Sequence, residues 1–187
     1  MGLLLIGCGK MGSALLSGVL AKSLYKANNI HIVEPNLQNR KNIQQSGVNI
    51  YSNISDININ TDKFSVILLA VKPQVVKDVL KELNTILTPN VLLISVVAGK
   101  NLNFYQEITG LNNIVRAMPN TPASIGKGIT ALYAKPNLLK KNVVLSSKLF
   151  NAVGEFVWLN NENDMDIVTA ISGSGPAYVF KFIEIMI

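Results

Sequence analysis

Three short stretches carry residue types that could hold or move a reacting group. The first, Ile6-Gly7-Cys8-Gly9-Lys10-Met11-Gly12, has the spacing G-x-G-x-x-G. An apolar run, residues 3–6, precedes it, and a segment with helical spacing of apolar residues, 11–24, follows. Strand, glycine turn and helix in that order are the setting in which backbone N–H groups and the positive end of a helix dipole cradle a dinucleotide pyrophosphate. Gly7 would permit the tight turn, Gly9 the approach of the phosphates, and Gly12 close packing of helix on strand. Cys8, inside this turn, reads as a small space-filler ahead of a redox thiol. The second stretch, Met118-Pro119-Asn120-Thr121-Pro122-Ala123, has two prolines three residues apart. They are expected to hold Met118 and Thr121 extended and so to fix the Asn120 amide at the end of a strand, where it meets a ligand or satisfies its own turn. The third, Ser172-Gly173-Ser174-Gly175-Pro176, is a small-residue turn opening a helix, whose N–H groups would suit an anion or a carboxamide.

These stretches need a frame to bring them together, and the rest of the chain supplies one. Short apolar runs at residues 3–6, 30–33, 48–50, 65–70, 91–96, 113–117, 129–134 and 155–159 read as strands. Helical patterns lie between most of them, at 11–24, 36–46, 75–83, 102–108 and 137–152, with Pro73 suited to a first helical position. Residues 52–62 have no clear period and read as a loop or short helix. Alternation of this kind predicts an α/β fold, a doubly wound parallel sheet of Rossmann type, over residues 1–160. The polar run 160–164 marks a boundary, and residues 161–187 begin a helical second unit.

In such a sheet ligands bind beyond the carboxyl ends of the strands. Glu34 falls there, 22 residues beyond Gly12, where a carboxylate meets the adenosine ribose and tilts the choice toward NAD over NADP. Arg40 and Lys41 follow closely and offer the opposite choice, pairing with a 2′-phosphate. Ala70-Val71-Lys72-Pro73 and the segment 95–99 occupy the same edge. Lys72 there is either an anion contact or a solvated lysine. His31 is the only histidine, and on an alternating strand it reads as packed or solvated.

Composition narrows the classes. Of 187 residues 49% are hydrophobic and 15% charged, with one cysteine and a formal net charge of +6. This is the composition of a well-cored globular chain. No apolar run reaches the length of a membrane span, and no charged-then-apolar leader precedes the first strand. The lysines are dispersed without aromatic interleaving, which favours an anionic small molecule and argues against nucleic acid. No spacing suggests a metal site, and the single cysteine fits a reducing compartment.

Taken together, I-G-C-G-K-M-G, A-V-K-P, S-V-V-A-G, R-A-M-P-N-T-P-A and S-G-S-G-P-A-Y resemble, in order and spacing, the pyrroline-5-carboxylate reductase family. The resemblance covers the whole chain and implies a cytoplasmic, homo-oligomeric oxidoreductase that makes proline by reducing a cyclic imine with NADPH or NADH. It implies cofactor-binding roles for Gly7, Cys8, Gly9, Lys10, Met11, Gly12, Glu34, Asn36, Ala70, Val71, Lys72, Pro73 and Asn120, and a substrate pocket lined by Ser172, Gly173, Ser174 and Gly175. It names no catalytic acid, and no histidine, cysteine or carboxylate pair is arranged for one. A related hydroxyacid dehydrogenase would need a catalytic lysine, for which Lys181 is the candidate, in the wrong surroundings. Family members also continue through further helices that form a dimer and carry a serine-proline-glycine-glycine-threonine-type loop. The chain is therefore expected to be truncated relative to them, with an apolar helix at 179–187 left to self-associate or fray, and a cofactor-binding remnant without turnover is the competing expectation.

Overall fold

A computed structural model of the chain describes residues 2–57 and 64–187. Eight strands form one sheet in the order β3-β2-β1-β4-β5-β6-β7-β8. They are β1 (Gly2–Ile6), β2 (Ile30–Val33), β3 (Asn49–Tyr51), β4 (Phe64–Leu69), β5 (Leu92–Ser95), β6 (Ile114–Met118), β7 (Gly128–Tyr133) and β8 (Gly154–Trp158). Each expected strand is present within a residue or two. The helices are α1 (Lys10–Ala21), α2 (Leu37–Ile43), α3 (Val76–Leu83), α4 (Leu102–Thr109), α5 (Lys140–Asn151), α6 (Asp164–Val168) and α7 (Gly175–Met186).

Strands β1 to β6 pair in parallel, because each is joined to the next through a crossover. The exception is β7, which runs antiparallel to β6. The connection between them, residues 119–127, is shorter than the dozen residues that a parallel return needs. After α5 the chain crosses over again, and β8 lies parallel to β7. The sheet is thus doubly wound with one reversed strand pairing, a detail the alternating pattern alone does not contain.

The central strands are buried on both faces, which is why they read as continuous apolar runs. Leu3, Leu5, Ile30, Ile32, Val66 and Leu68 meet Leu15, Leu16 and Val19 of α1 and Leu149 and Phe150 of α5 on one side. Leu4, Ile6, Ile67, Leu69 and Leu93 meet Val76, Leu80 and Leu83 of α3 and Leu102 and Tyr105 of α4 on the other. The spacing of Val76, Leu80 and Leu83 gives α3 one apolar stripe.

Local chemistry sets the ends. Asn36 and Asn101 cap α2 and α4, accepting hydrogen bonds from the N–H groups of Asn39 and Phe104. Gly110 closes α4 in the left-handed region at φ 68°. Of the segment 52–62, residues Ile54–Asp56 form a 3-10 turn, and 58–62 lie outside the described residues. Two expectations need correction. Pro73 does not begin a helix; it opens a turn that leads into α3 at Val76. The small-residue turn expected at 172–176 is not a break before a new helix: a π-helical turn, Thr169–Gly173, carries α6 into α7.

Candidate active site

The parallel strands β1, β2, β4, β5 and β6 bring their carboxyl ends to one edge of the sheet, and the site is built there. The Gly7 N–H donates to the Val33 carbonyl and the Ala70 N–H to that of Ile6, each at 2.8 Å, so the turns after β1, β2 and β4 are fastened side by side. Gly7 has φ +87°, and a Cβ there would stand 2.7 Å from the Ala70 carbonyl oxygen. A Cβ on Gly12 would overlap the Gly7 carbonyl oxygen. Both positions therefore exclude side chains on steric grounds. Gly9 differs, because a Cβ there would meet nothing within 4 Å. It is the N-cap of α1, with no side-chain cap. The N–H groups of the first turn of α1 are thus left for an outside acceptor beside an open, side-chain-free surface. These are the conditions a pyrophosphate needs. Lys10 and Lys72 are exposed at the same edge.

Cys8 is buried, and its carbonyl accepts the Ser13 hydroxyl at 2.8 Å. Burial pushes the thiol pKa up; the contact with Ser13 opposes this and the Glu34 carboxylate adds to it. A thiol held in its neutral form is a packing group. The Glu34 carboxylate turns inward. It is 5% exposed, with Oε2 accepting the Cys8 N–H at 2.6 Å and Oε1 the Asn36 N–H at 2.8 Å. Both oxygens are thus engaged with backbone of the glycine turn and of the loop into α2. Asn36 is exposed beside it, with its side chain committed to capping α2.

The second and third stretches meet. Asn120 Nδ2 donates to Ser172 Oγ at 3.1 Å, and Asn120 Oδ1 accepts the Ile129 N–H at 2.9 Å. One amide thus ties the end of β6 to β7 and to the π-helical turn. Thr121 is not extended; it opens a 3-10 helix, Thr121–Ile125, closed by Gly126 at φ 70°. Pro122 is tolerated there because its missing N–H needs no partner in a first turn. The N–H groups expected to be open around residues 172–175 are partly used, since that of Ser174 donates to Thr169 at 2.8 Å. A separate cleft of about 920 Å³, lined by Tyr25, Ser65 and Leu149 among others, opens at the amino ends of the strands, away from all of these residues.

Comparison with known proteins gives the arrangement its family. Residues 3–99 match the family described as NADP oxidoreductase coenzyme F420-dependent, and residues 162–187 match pyrroline-5-carboxylate reductase dimerisation. Pyrroline-5-carboxylate reductase of Arabidopsis thaliana is 38% identical over 180 residues, covering 96% of this chain and 64% of the relative. The solved pyrroline-5-carboxylate reductase of Coxiella burnetii superposes with a TM-score of 0.87 at 33% identity, over 98% of this chain and 67% of that one. The chain belongs to the pyrroline-5-carboxylate reductase family. A Plasmodium falciparum pyrroline carboxylate reductase, solved with NADP bound, is similar at TM-score 0.83 and 34% identity, covering 98% of this chain and 66% of that one. The chain spans about 64% of the length of the Arabidopsis reductase.

Sequence reasoning missed one polar cluster in this member of the family. Arg116, in the middle of β6, is 6% exposed and donates from Nη1 to Glu162 Oε1 at 2.8 Å. The same oxygen accepts the Leu102 N–H at 2.7 Å, at the start of α4. Beside them, buried Tyr105 shares a 2.7 Å hydrogen bond with Ser95. Burial pushes the Tyr105 pKa up to about 12 against the lowering effects of Ser95 and Arg116, with Glu162 adding a smaller rise. The signal was available: an arginine inside an apolar strand must meet a carboxylate. Its partner is 46 residues away, in the polar run read as a boundary. Among the described residues no group of three or more His, Cys, Asp or Glu is placed to hold a metal ion, and no helix is long and apolar enough to cross a membrane.

Proposed function

We propose that this chain binds NAD(P)H at the glycine turn and belongs to an enzyme that reduces 1-pyrroline-5-carboxylate to L-proline. The observation that carries the reading is the steric pattern of the turn: Gly7 and Gly12 filled by neighbours, Gly9 open at an uncapped helix start. The NADP-bound relative and the family membership support it. Residues 1–160 are the cofactor-binding unit and 161–187 the start of a unit that pairs with a second copy, in a cytoplasmic homo-oligomer without nucleic-acid or membrane partners.

In this reading the reduced nicotinamide supplies a hydride to the imine carbon. The imine nitrogen ends as the secondary amine, its one proton taken from solvent or already present on a protonated imine. The chain's own work is positional. The first-turn N–H groups of α1 hold the pyrophosphate, with Gly7, Cys8, Gly9, Lys10, Met11 and Gly12 forming its cradle. Ala70, Val71, Lys72 and Pro73 flank the cofactor. Asn120 holds Ser172, and through it Gly173, Ser174 and Gly175, at the same sheet edge where the imine is to be reduced.

The test compares the 187-residue chain with one extended by the C-terminal third of a relative, using NADPH fluorescence for binding and proline formation for turnover. Both should bind NADPH, and only the extended, dimeric chain should turn over pyrroline-5-carboxylate. Binding of no dinucleotide by either chain would remove the reading. Oxidation of a 3-hydroxy acid in place of proline formation would transfer the chain to the hydroxyacid dehydrogenases.

A further inference from the structure

At the tip of β2 two opposite charges compete for the role of cofactor selector, and the structure places them differently. Glu34 is turned inward: both oxygens accept backbone N–H groups, at 2.6 and 2.8 Å, and the residue is only 5% exposed. One oxygen holds Cys8 of the glycine turn; the other holds Asn36 of the loop into α2. The lone pairs that remain face a buried surround, so for the carboxylate to meet two ribose hydroxyls it would have to turn outward and loosen the two backbone hydrogen bonds, which is costly.

Arg40 lies on the other side of the same loop. Its Nη1 donates to the backbone carbonyls of Glu34 and Pro35, both at 2.8 Å, and the residue is half-buried. Among the described residues no carboxylate pairs with it. The two carbonyls fix the guanidinium through one nitrogen, and Nη2 and Nε keep donors in the planar fork that suits a phosphate. The side chain is thereby preorganised, so less rotamer freedom is lost when an anion binds.

We propose that Glu34 is a positioning residue that splints the glycine turn to the β2–α2 loop, and that Arg40 selects a dinucleotide carrying a 2′-phosphate over one without it. The inference rests on the dinucleotide binding proposed above. It reverses the preference that a carboxylate at the tip of β2 suggests from sequence.

Titration calorimetry with NADPH, NADH, 2′,5′-ADP and 5′-AMP tests it without any turnover. The wild-type chain should bind each 2′-phosphorylated ligand roughly tenfold or more tighter than its counterpart, the scale of a charge-assisted pair. Arg40→Ala should bring each pair near parity by weakening only the phosphorylated member. Glu34→Ala should weaken NADPH and NADH by the same factor, because the turn that both use loses its splint. Glu34→Gln, which keeps one acceptor oxygen, should recover part of that loss, and it carries the comparison if the alanine variant does not fold. Equal or tighter binding of NADH by the wild type would overturn the inference and leave dinucleotide binding standing. So would a Glu34 variant that weakens NADH alone. A wild-type chain that binds none of the four ligands would remove the dinucleotide reading and this inference with it.

Discussion

At the glycine turn after β1, a methyl group on Gly7 would stand 2.7 Å from the Ala70 carbonyl oxygen, and one on Gly12 would overlap that of Gly7. At the turn before α7, a methyl on Gly173 would meet only Thr169 Cγ2 at 3.6 Å, and one on Gly175 only the Ala170 carbonyl at 4.0 Å. The helices that follow differ in the same way. α1 buries Gly12, Ala14, Leu15, Leu16 and Val19, while α7 buries none of its residues. Phe180, Phe182, Ile185 and Met186 are each more than 60% exposed. Two stretches that look alike on paper thus answer to different constraints. Gly7 and Gly12 of the first are required by atoms of this chain. Those of the second are not, which agrees with their proposed place facing substrate and a second copy.

The largest expected effect comes from breaking the Arg116–Glu162 pair, which ties β6 to the polar run ahead of α6. Arg116→Ala leaves the partly buried Glu162 carboxylate at the start of α4 without its cation, at a cost of about 3 kcal/mol, the lower end of what breaking a buried pair costs. Urea unfolding should show it as a lowered midpoint. A loss below 1 kcal/mol would mean that the pair does not hold this part of the fold. Next comes the paired glycine test. Gly12→Ala should cost about 1–3 kcal/mol by overpacking α1 against the turn. Gly173→Ala should leave stability within about 1 kcal/mol of wild type, or raise it by restricting the unfolded chain. Equal losses at both positions would erase the distinction.

The smallest effect on stability belongs to α7. Phe182→Lys should change the unfolding free energy by no more than about 0.5 kcal/mol, as for other exposed positions. It should nevertheless shift the chain toward monomer in sedimentation, because contiguous exposed apolar surface of this kind marks an interaction site. Unchanged association would move the interface elsewhere.

How much of this was legible in the residues follows the same division. The strands and α1 to α5 announced themselves because burial on one or both faces imposes a period, as with Val76, Leu80 and Leu83. The glycine turn was legible because its chemistry is local. The antiparallel β7 was not, since the direction of pairing depends on the length and path of residues 119–127 and on no single side chain. The π-helical turn was hidden because Ser172 and Gly173 signal a break in any local reading, whereas the bond from Ser174 N–H to the Thr169 carbonyl helps to carry the helix through. The Glu34 carboxylate stood where a ribose acceptor stands by position, but its orientation is decided by Cys8, 26 residues earlier.

The most direct measurement is dinucleotide binding by Gly9→Val beside the wild type, by NADPH fluorescence titration with circular dichroism as the fold control. Gly9 has φ −68° and ψ −160°, a conformation open to any residue, and its Cβ direction is empty, so the fold should survive. The account predicts saturable binding by the wild type and none by an equally folded Gly9→Val. Unchanged affinity in the folded variant would contradict it, because the pyrophosphate would then lie somewhere other than the glycine turn.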